Sequence, residues 1–273
     1  MKTRKSIVSA SIAAALALPL VAIAEDHDED ELEFDEAHVF FELNNTDGDL
    51  GIHALIDGEP WKKLEIEDQN ERTILKIKTR SRLRRQGLTE LFFESAEPPF
   101  TELGPEEFFA RFPEGTYEIE GVTLDGEEIE SETEISHAMP APPNPSVNGI
   151  PVAMQCDDEL PGYDAPTIED DEVVIAWDPV TMTHPWLGDP QNSDDITIVN
   201  YEVVVEAELE LDGEEFVTVL SVRLPPGVTE MTVPEEFLEQ TDTFKYEVLA
   251  REESWNQTAI ESCFLLEEED DGE

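Results

Sequence analysis

Beyond about residue 37 the chain is a train of short apolar–polar runs, cut at close intervals by turn-forming residues. That punctuation restricts it to an all-β fold. In the first half the runs are Val39–Leu43, Ile52–Asp57, Lys63–Glu67, Ile74–Thr79, Leu88–Phe93, Thr116–Val122 and Glu128–Ser136. Asp57-Gly58-Glu59-Pro60 and Asp125-Gly126 separate strands in this reading. Asp125-Gly126 stands between two alternating runs, a strong hairpin signal. One helical turn is expected over Pro105–Arg111, with Pro in first position, acids in the first turn and Pro113 beyond its end. About seven strands in a hundred residues suggest an immunoglobulin-like sandwich.

The organisation read from the sequence is two tandem β-sandwiches after a cleaved signal peptide. Lys2, Arg4 and Lys5 form a basic head, an apolar run follows from about Ile7 to Ile23, and small residues close it at Ala24. That order describes residues 1–24 as a secretory signal, too short and Ala-rich for an anchor. An acidic tail covers 25–36 and the first sandwich 37–138. Met139-Pro140-Ala141-Pro142-Pro143-Asn144-Pro145 opens a stiff linker and irregular segment over 139–164. The second sandwich covers 165–266 and an acidic tail 267–273. The expected location is periplasmic or secreted.

Charge narrows the partners. The chain has 67 Asp and Glu against 16 Lys and Arg, for a formal charge of −51. Losing the three basic residues of the leader would make it −54. Such a charge repels nucleic acid and anionic membrane, so neither nucleic-acid binding nor membrane insertion is expected. An envelope protein or a glycan is the expected partner. The few cations cluster: Lys76, Lys78, Arg80 and Arg82 alternate and would share one face of a strand. Such a stripe either pairs with acids across the sheet or docks an acidic partner or glycan.

The second half carries a resemblance. Val173-Val174-Ile175-Ala176-Trp177-Asp178-Pro179 looks like the second strand of a fibronectin type III domain with its core Trp. Ile198–Val203 looks like the third strand, and Thr243–Ala250 like the sixth. Phe244 stands where that family usually has Tyr, so the resemblance implies a domain without the tyrosine-corner hydroxyl.

No nucleophile elbow, phosphate loop or zinc-protease helix occurs, and no enzymatic activity is expected. Asn45, Asp47 and Asp49 fall at positions one, three and five of a calcium-like loop. Leu50 replaces its turn glycine and Ile56 its bidentate Glu. The loop is thus either an Asx-type turn or a non-standard calcium site, and calcium is the one cofactor suggested. Trp186, with His184 beside it, and Trp255 lie on loops at one end of a fibronectin-type sandwich. They would either stack on a ligand or cover their own loops. Cys156 and Cys263, the two cysteines, are expected to form a disulfide in an oxidising compartment, the alternative being two buried thiols. Cleavage after Ala24 would leave Glu25-Asp26-His27, whose amine, backbone amides and imidazole suit planar copper(II) or nickel(II). The function expected from these features is an exported binding or adhesion module. The alternatives are a calcium-dependent structural protein or an accessory subunit of a polysaccharide-degrading system.

Overall fold

The computed structural model describes residues 32–157, 159–169, 172–188, 196–211 and 214–267. The described residues are mostly strand, 53%, with 7% helix. The first half holds β1 (Glu36–Asn44), β2 (Asp49–Glu67), β3 (Thr73–Lys78), α1 (Leu83–Gln86), β4 (Leu88–Glu94), α2 (Pro105–Arg111), β5 (Gly115–Thr123) and β6 (Glu128–Ile135). Short strands β7 (Ser146–Val147), β8 (Ile150–Pro151) and β9 (Thr167–Ile168) follow. The second half continues with β10 (Val174–Ala176), β11 (Ile198–Leu211), β12 (Glu214–Leu224), β13 (Glu230–Thr232), α3 (Glu235–Leu238), β14 (Thr243–Glu252) and β15 (Gln257–Leu266).

The expected hairpin forms as β5–β6, with Gly121 opposite Ile129 and Gly126 at a φ of +98° in the turn. The expected helical turn is α2, with Pro at its start and the Arg111–Glu107 pair at 2.7 Å along its flank. Two expectations are corrected. Asp57-Gly58-Glu59-Pro60 is no turn: it lies inside β2, a strand of 19 residues. The pairing with β4 slips between Asp57 and Trp61, so Gly and Pro mark an irregularity in the strand. A Cβ at Gly58 would stand 3.1 Å from the Phe34 ring, which explains the small residue. The basic run also does not continue as one strand. β3 stops at Lys78, and residues 80–86 form an exposed loop and the short α1. Lys76 does pair across the sheet, with Glu65, which Lys63 also approaches at 3.2 Å.

The described residues form two apolar cores. One gathers Phe41, Leu43, Ile56, Trp61, Leu64, Ile66, Tyr117, Ile119 and, from α2, Phe108 and Phe109. The other lies between two sheets. Val147, Val173 and Ile175 come from the side of the four-stranded sheet β13-β10-β7-β8, and Tyr201, Val203, Val205, Tyr246, Val248 and Phe264 from β11, β14 and β15. Trp177 packs on Tyr201, whose hydroxyl accepts the Val180 N–H at 2.8 Å.

One larger sheet joins the two halves. Its order is β12-β11-β14-β15-β1-β2-β5-β6, with β3 and β4 on β2 and β9 on β15. The joint is a parallel pairing of β1 with β15, Glu42 opposite Gln257 through Asn44 opposite Ala259. No backbone signal in either segment announces this pairing, because its partners are more than two hundred residues apart.

Candidate binding surface

The segment Asp178–Gly188 leaves the second core and straps across the joint. Its backbone is tied to the linker: Ala141 N–H donates to the Met182 carbonyl at 3.0 Å and His184 N–H to the Met139 carbonyl at 2.7 Å. Leu187, at 3% exposure, belongs to the first core. Gly188 lies so close to His137 that a Cβ there would stand 2.0 Å from its carbonyl oxygen, at a φ of +77°. His184 is buried, and its Nε2 lies 3.0 Å from Asn45 Oδ1. Since that oxygen accepts, Nε2 carries the hydrogen. Burial lowers the His184 pKa to about 4, so the ring is neutral at neutral pH.

Between these two buried anchors, Trp186 points out. It is 64% exposed, meeting the His184 ring at 4.5 Å and the Phe100 ring at 6.4 Å, both edge-on. A large amphipathic ring fixed outward in this way loses little conformational entropy on binding. Phe100 follows Pro98-Pro99 on a separate loop and is held by its N–H donating to the Gly48 carbonyl at 2.8 Å. An aromatic after two prolines was the one sequence signal for it.

Trp255 lies elsewhere. It stacks on His38 at 3.6 Å, with the Arg251 guanidinium 5.2 Å from its ring, and is half-buried. Trp186 reaches the far end of β1 through His184 and Asn45, whereas Trp255 touches His38 near its start; no ring contact between the two indoles occurs among the described residues.

The Asn45–Asp49 turn is shaped by its own side chains. Asn44 Oδ1 accepts the N–H groups of Thr46 and Asp47, and Gly48 takes a φ of +71°. Asn45 spends its oxygen on His184. The Asp49 carboxyl is pushed up to about 6 by burial and by Glu97, Asp47, Glu261 and Glu42 nearby. Among the described residues, no group of three or more His, Cys, Asp or Glu side chains stands together as a metal cage. Glu25, Asp26 and His27 lie outside the described residues.

Cys156 and Cys263 form the disulfide, with Cα atoms 5.7 Å apart. It ties the segment before β9 to the last strand. Among the described residues, no helix is long and apolar enough to cross a membrane.

No protein-family model and no curated protein sequence matches the chain. Solved structures do. A domain of a 1.5-MDa bacterial ice-binding adhesin is 10% identical, covering 87% of this chain and 66% of that one, with a TM-score of 0.21. The BSP domain of a biofilm-associated protein is 13% identical over 86% of this chain and 30% of its own, at 0.23. A calcium-stabilised adhesin with which an Antarctic bacterium binds ice is 13% identical over 86% and 50%, at 0.21. The chain thus spans from under a third to about two thirds of these structures. At such scores the likeness carries no argument about arrangement or activity.

Proposed function

We propose that the chain is an exported, non-enzymatic binding or adhesion module, acting in the cell envelope or outside it. Trp186 carries this reading: it is held outward between buried His184 and buried Leu187, where a ligand or partner can use it. Export rests on the basic head, apolar run and small residues of positions 1–24. The Cys156–Cys263 disulfide fits an oxidising compartment. The reading takes residues 37–138 and 165–266 as two sandwich units and the second as fibronectin type III-like. Strands β7-β10-β13 opposite β12-β11-β14-β15 support the latter, each sheet giving side chains to one core around Trp177.

The test is retention on native envelope material and on arrayed glycans. Trp186→Ala is expected to weaken binding about tenfold or more. Met154→Ala, which removes another apolar side chain at 84% exposure, is expected to leave it unchanged. Equal binding by both variants would defeat the reading.

A second reading, a calcium-dependent structural protein, rests on Asn45, Asp47 and Asp49 at alternate positions of one loop. It requires calcium to raise the melting temperature more than equal magnesium does, through Asp47 and Asp49.

A further inference from the structure

Strand β12 is the outermost strand of the larger sheet. It pairs with β11 from Tyr201–Leu224 to Leu211–Glu214 without a slip, so its other edge runs straight for the same length. Along such an edge a row of N–H and C=O groups faces outward, and folded proteins usually blunt it with Pro, a bulge or a Lys. β12 has no Pro, no Lys and no bulge. Its two faces differ in chemistry. Phe216, Thr218, Leu220 and Val222 stand opposite Leu209, Ala207, Val205 and Val203, on the side of the second core. Phe216 is 47% exposed there. Val217 and Val219 stand opposite Glu208 and Glu206 on the outer side and are 55% and 53% exposed. Glu208 holds Lys245 at 2.6 Å, whereas Glu206 enters no ion pair among the described residues.

From these features we infer that β12 is an acceptor edge, to which a partner protein adds an extended segment of alternating apolar and basic residues as a further strand. The edge groups of β12 supply main-chain hydrogen bonds, and its two faces set the alternation. On the core side the added side chains continue the apolar layer past Phe216 and Leu220, so they are apolar. On the outer side they meet Val217 and Val219 first and Glu206 beyond, two strand spacings or about 10 Å away. Lys or Arg suits both, with its stem on the valines and its cation toward the carboxylate. A single extended segment also reaches the edge without a folded acidic body behind it. A second copy would instead set its own glutamates against Glu206 and Glu208, in a chain of formal charge −51. Arg223, the cation of this strand, is bonded to Glu202 at 3.2 Å, so its charge is already answered. Trp186 and its ring partners lie on neither β11 nor β12, so the edge is a second contact of the module.

The probe is a blocked octapeptide that alternates valine and lysine, so that its extended form has one apolar and one basic face. One control has the same composition as a valine block followed by a lysine block. The other alternates valine and glutamate. At low salt the alternating lysine peptide should bind the mature chain about tenfold or more tightly than the block peptide of equal charge. It should slow amide hydrogen exchange most strongly within Phe216–Leu224. Val219→Lys puts a cation on the edge and should weaken this binding about tenfold, with an unchanged circular dichroism spectrum showing that the variant folds. Glu206→Gln should weaken it about threefold, and Trp186→Ala should leave it unchanged. Equal affinity for the alternating and block peptides would reduce the effect to net charge and overturn the inference. So would protection that falls outside β12, or binding that Val219→Lys leaves intact. Equal binding of the glutamate peptide overturns it too, as does a wild-type dimer that itself shields β12 from exchange.

Discussion

The Asn256 side chain and the Phe41 backbone meet across 215 residues of sequence: Oδ1 accepts the Phe41 N–H at 2.9 Å. The amide of the same side chain donates to the Ser136 carbonyl at 2.9 Å and the Ala138 carbonyl at 3.2 Å. One side chain, 1% exposed, thus holds the start of β15 to β1 and to the end of the first half. Beside it, Thr258 Oγ1 donates to the Pro140 carbonyl at 2.8 Å.

Asn256→Ala strands a buried N–H and two carbonyls. The buried Phe41 N–H alone costs about 1–3 kcal/mol when orphaned and the two half-buried carbonyls add less, so chemical denaturation should show a loss of about 2–4 kcal/mol. Asn256→Asp keeps the acceptor for Phe41 but no longer donates, and should also destabilise. A change under about 0.5 kcal/mol in both would mean that the joint does not depend on this side chain.

Glu247 makes stability depend on pH. It faces Glu261 across the β14–β15 pair. Burial first, then Glu42, Glu261, Glu202 and Glu206, push its carboxyl up to about 8 from an ordinary 4.5. Between those values the folded chain keeps a proton that the unfolded chain has released, so this contribution to stability is lost as pH rises through the window. The wild-type melting temperature should therefore fall more steeply from pH ~5 to pH ~8.5 than that of Glu247→Gln, and the variant should melt higher at the alkaline end. Parallel profiles would contradict the assignment.

The disulfide closes a loop with a sequence separation of 107. In the chain-entropy view such a closure stabilises by about 4–5 kcal/mol, less any strain. Cys156→Ser/Cys263→Ser should lose a stability of that order in non-reducing buffer, and reductant should then leave the variant unaffected while it destabilises the wild type. Intact mass should show a two-proton gain on reduction of the wild type alone.

What was legible in the sequence was local or chemical. Asp125-Gly126 declared its hairpin through the positive φ that glycine accepts, and Pro105 with Glu106 and Glu107 declared α2. The same logic misplaced Asp57–Pro60, since Gly and Pro mark a strand irregularity as readily as a turn. Only the packing of Phe34 over Gly58 separates the two cases. The candidate surface was half legible. Trp186 stands out as a loop tryptophan, and Asn45 as a polar turn residue. Their link through His184 depends on a strap crossing between halves, and it spends the Asn45 oxygen that the calcium reading needs. Trp255 looked equivalent to Trp186, but His38 and Arg251 draw it to the other end of β1.

The most direct test of the central claim, that Trp186 is the contact residue of a binding module, is its fluorescence during binding. The signal of Trp186 is taken as the difference between wild type and Trp186→Phe, since Trp61 and Trp177 are buried and Trp255 is stacked on His38. In the free protein this component should be quenched strongly by acrylamide. Saturating native envelope material should protect it and shift its emission. Binding that leaves the Trp186 component as open to acrylamide as before would contradict the claim.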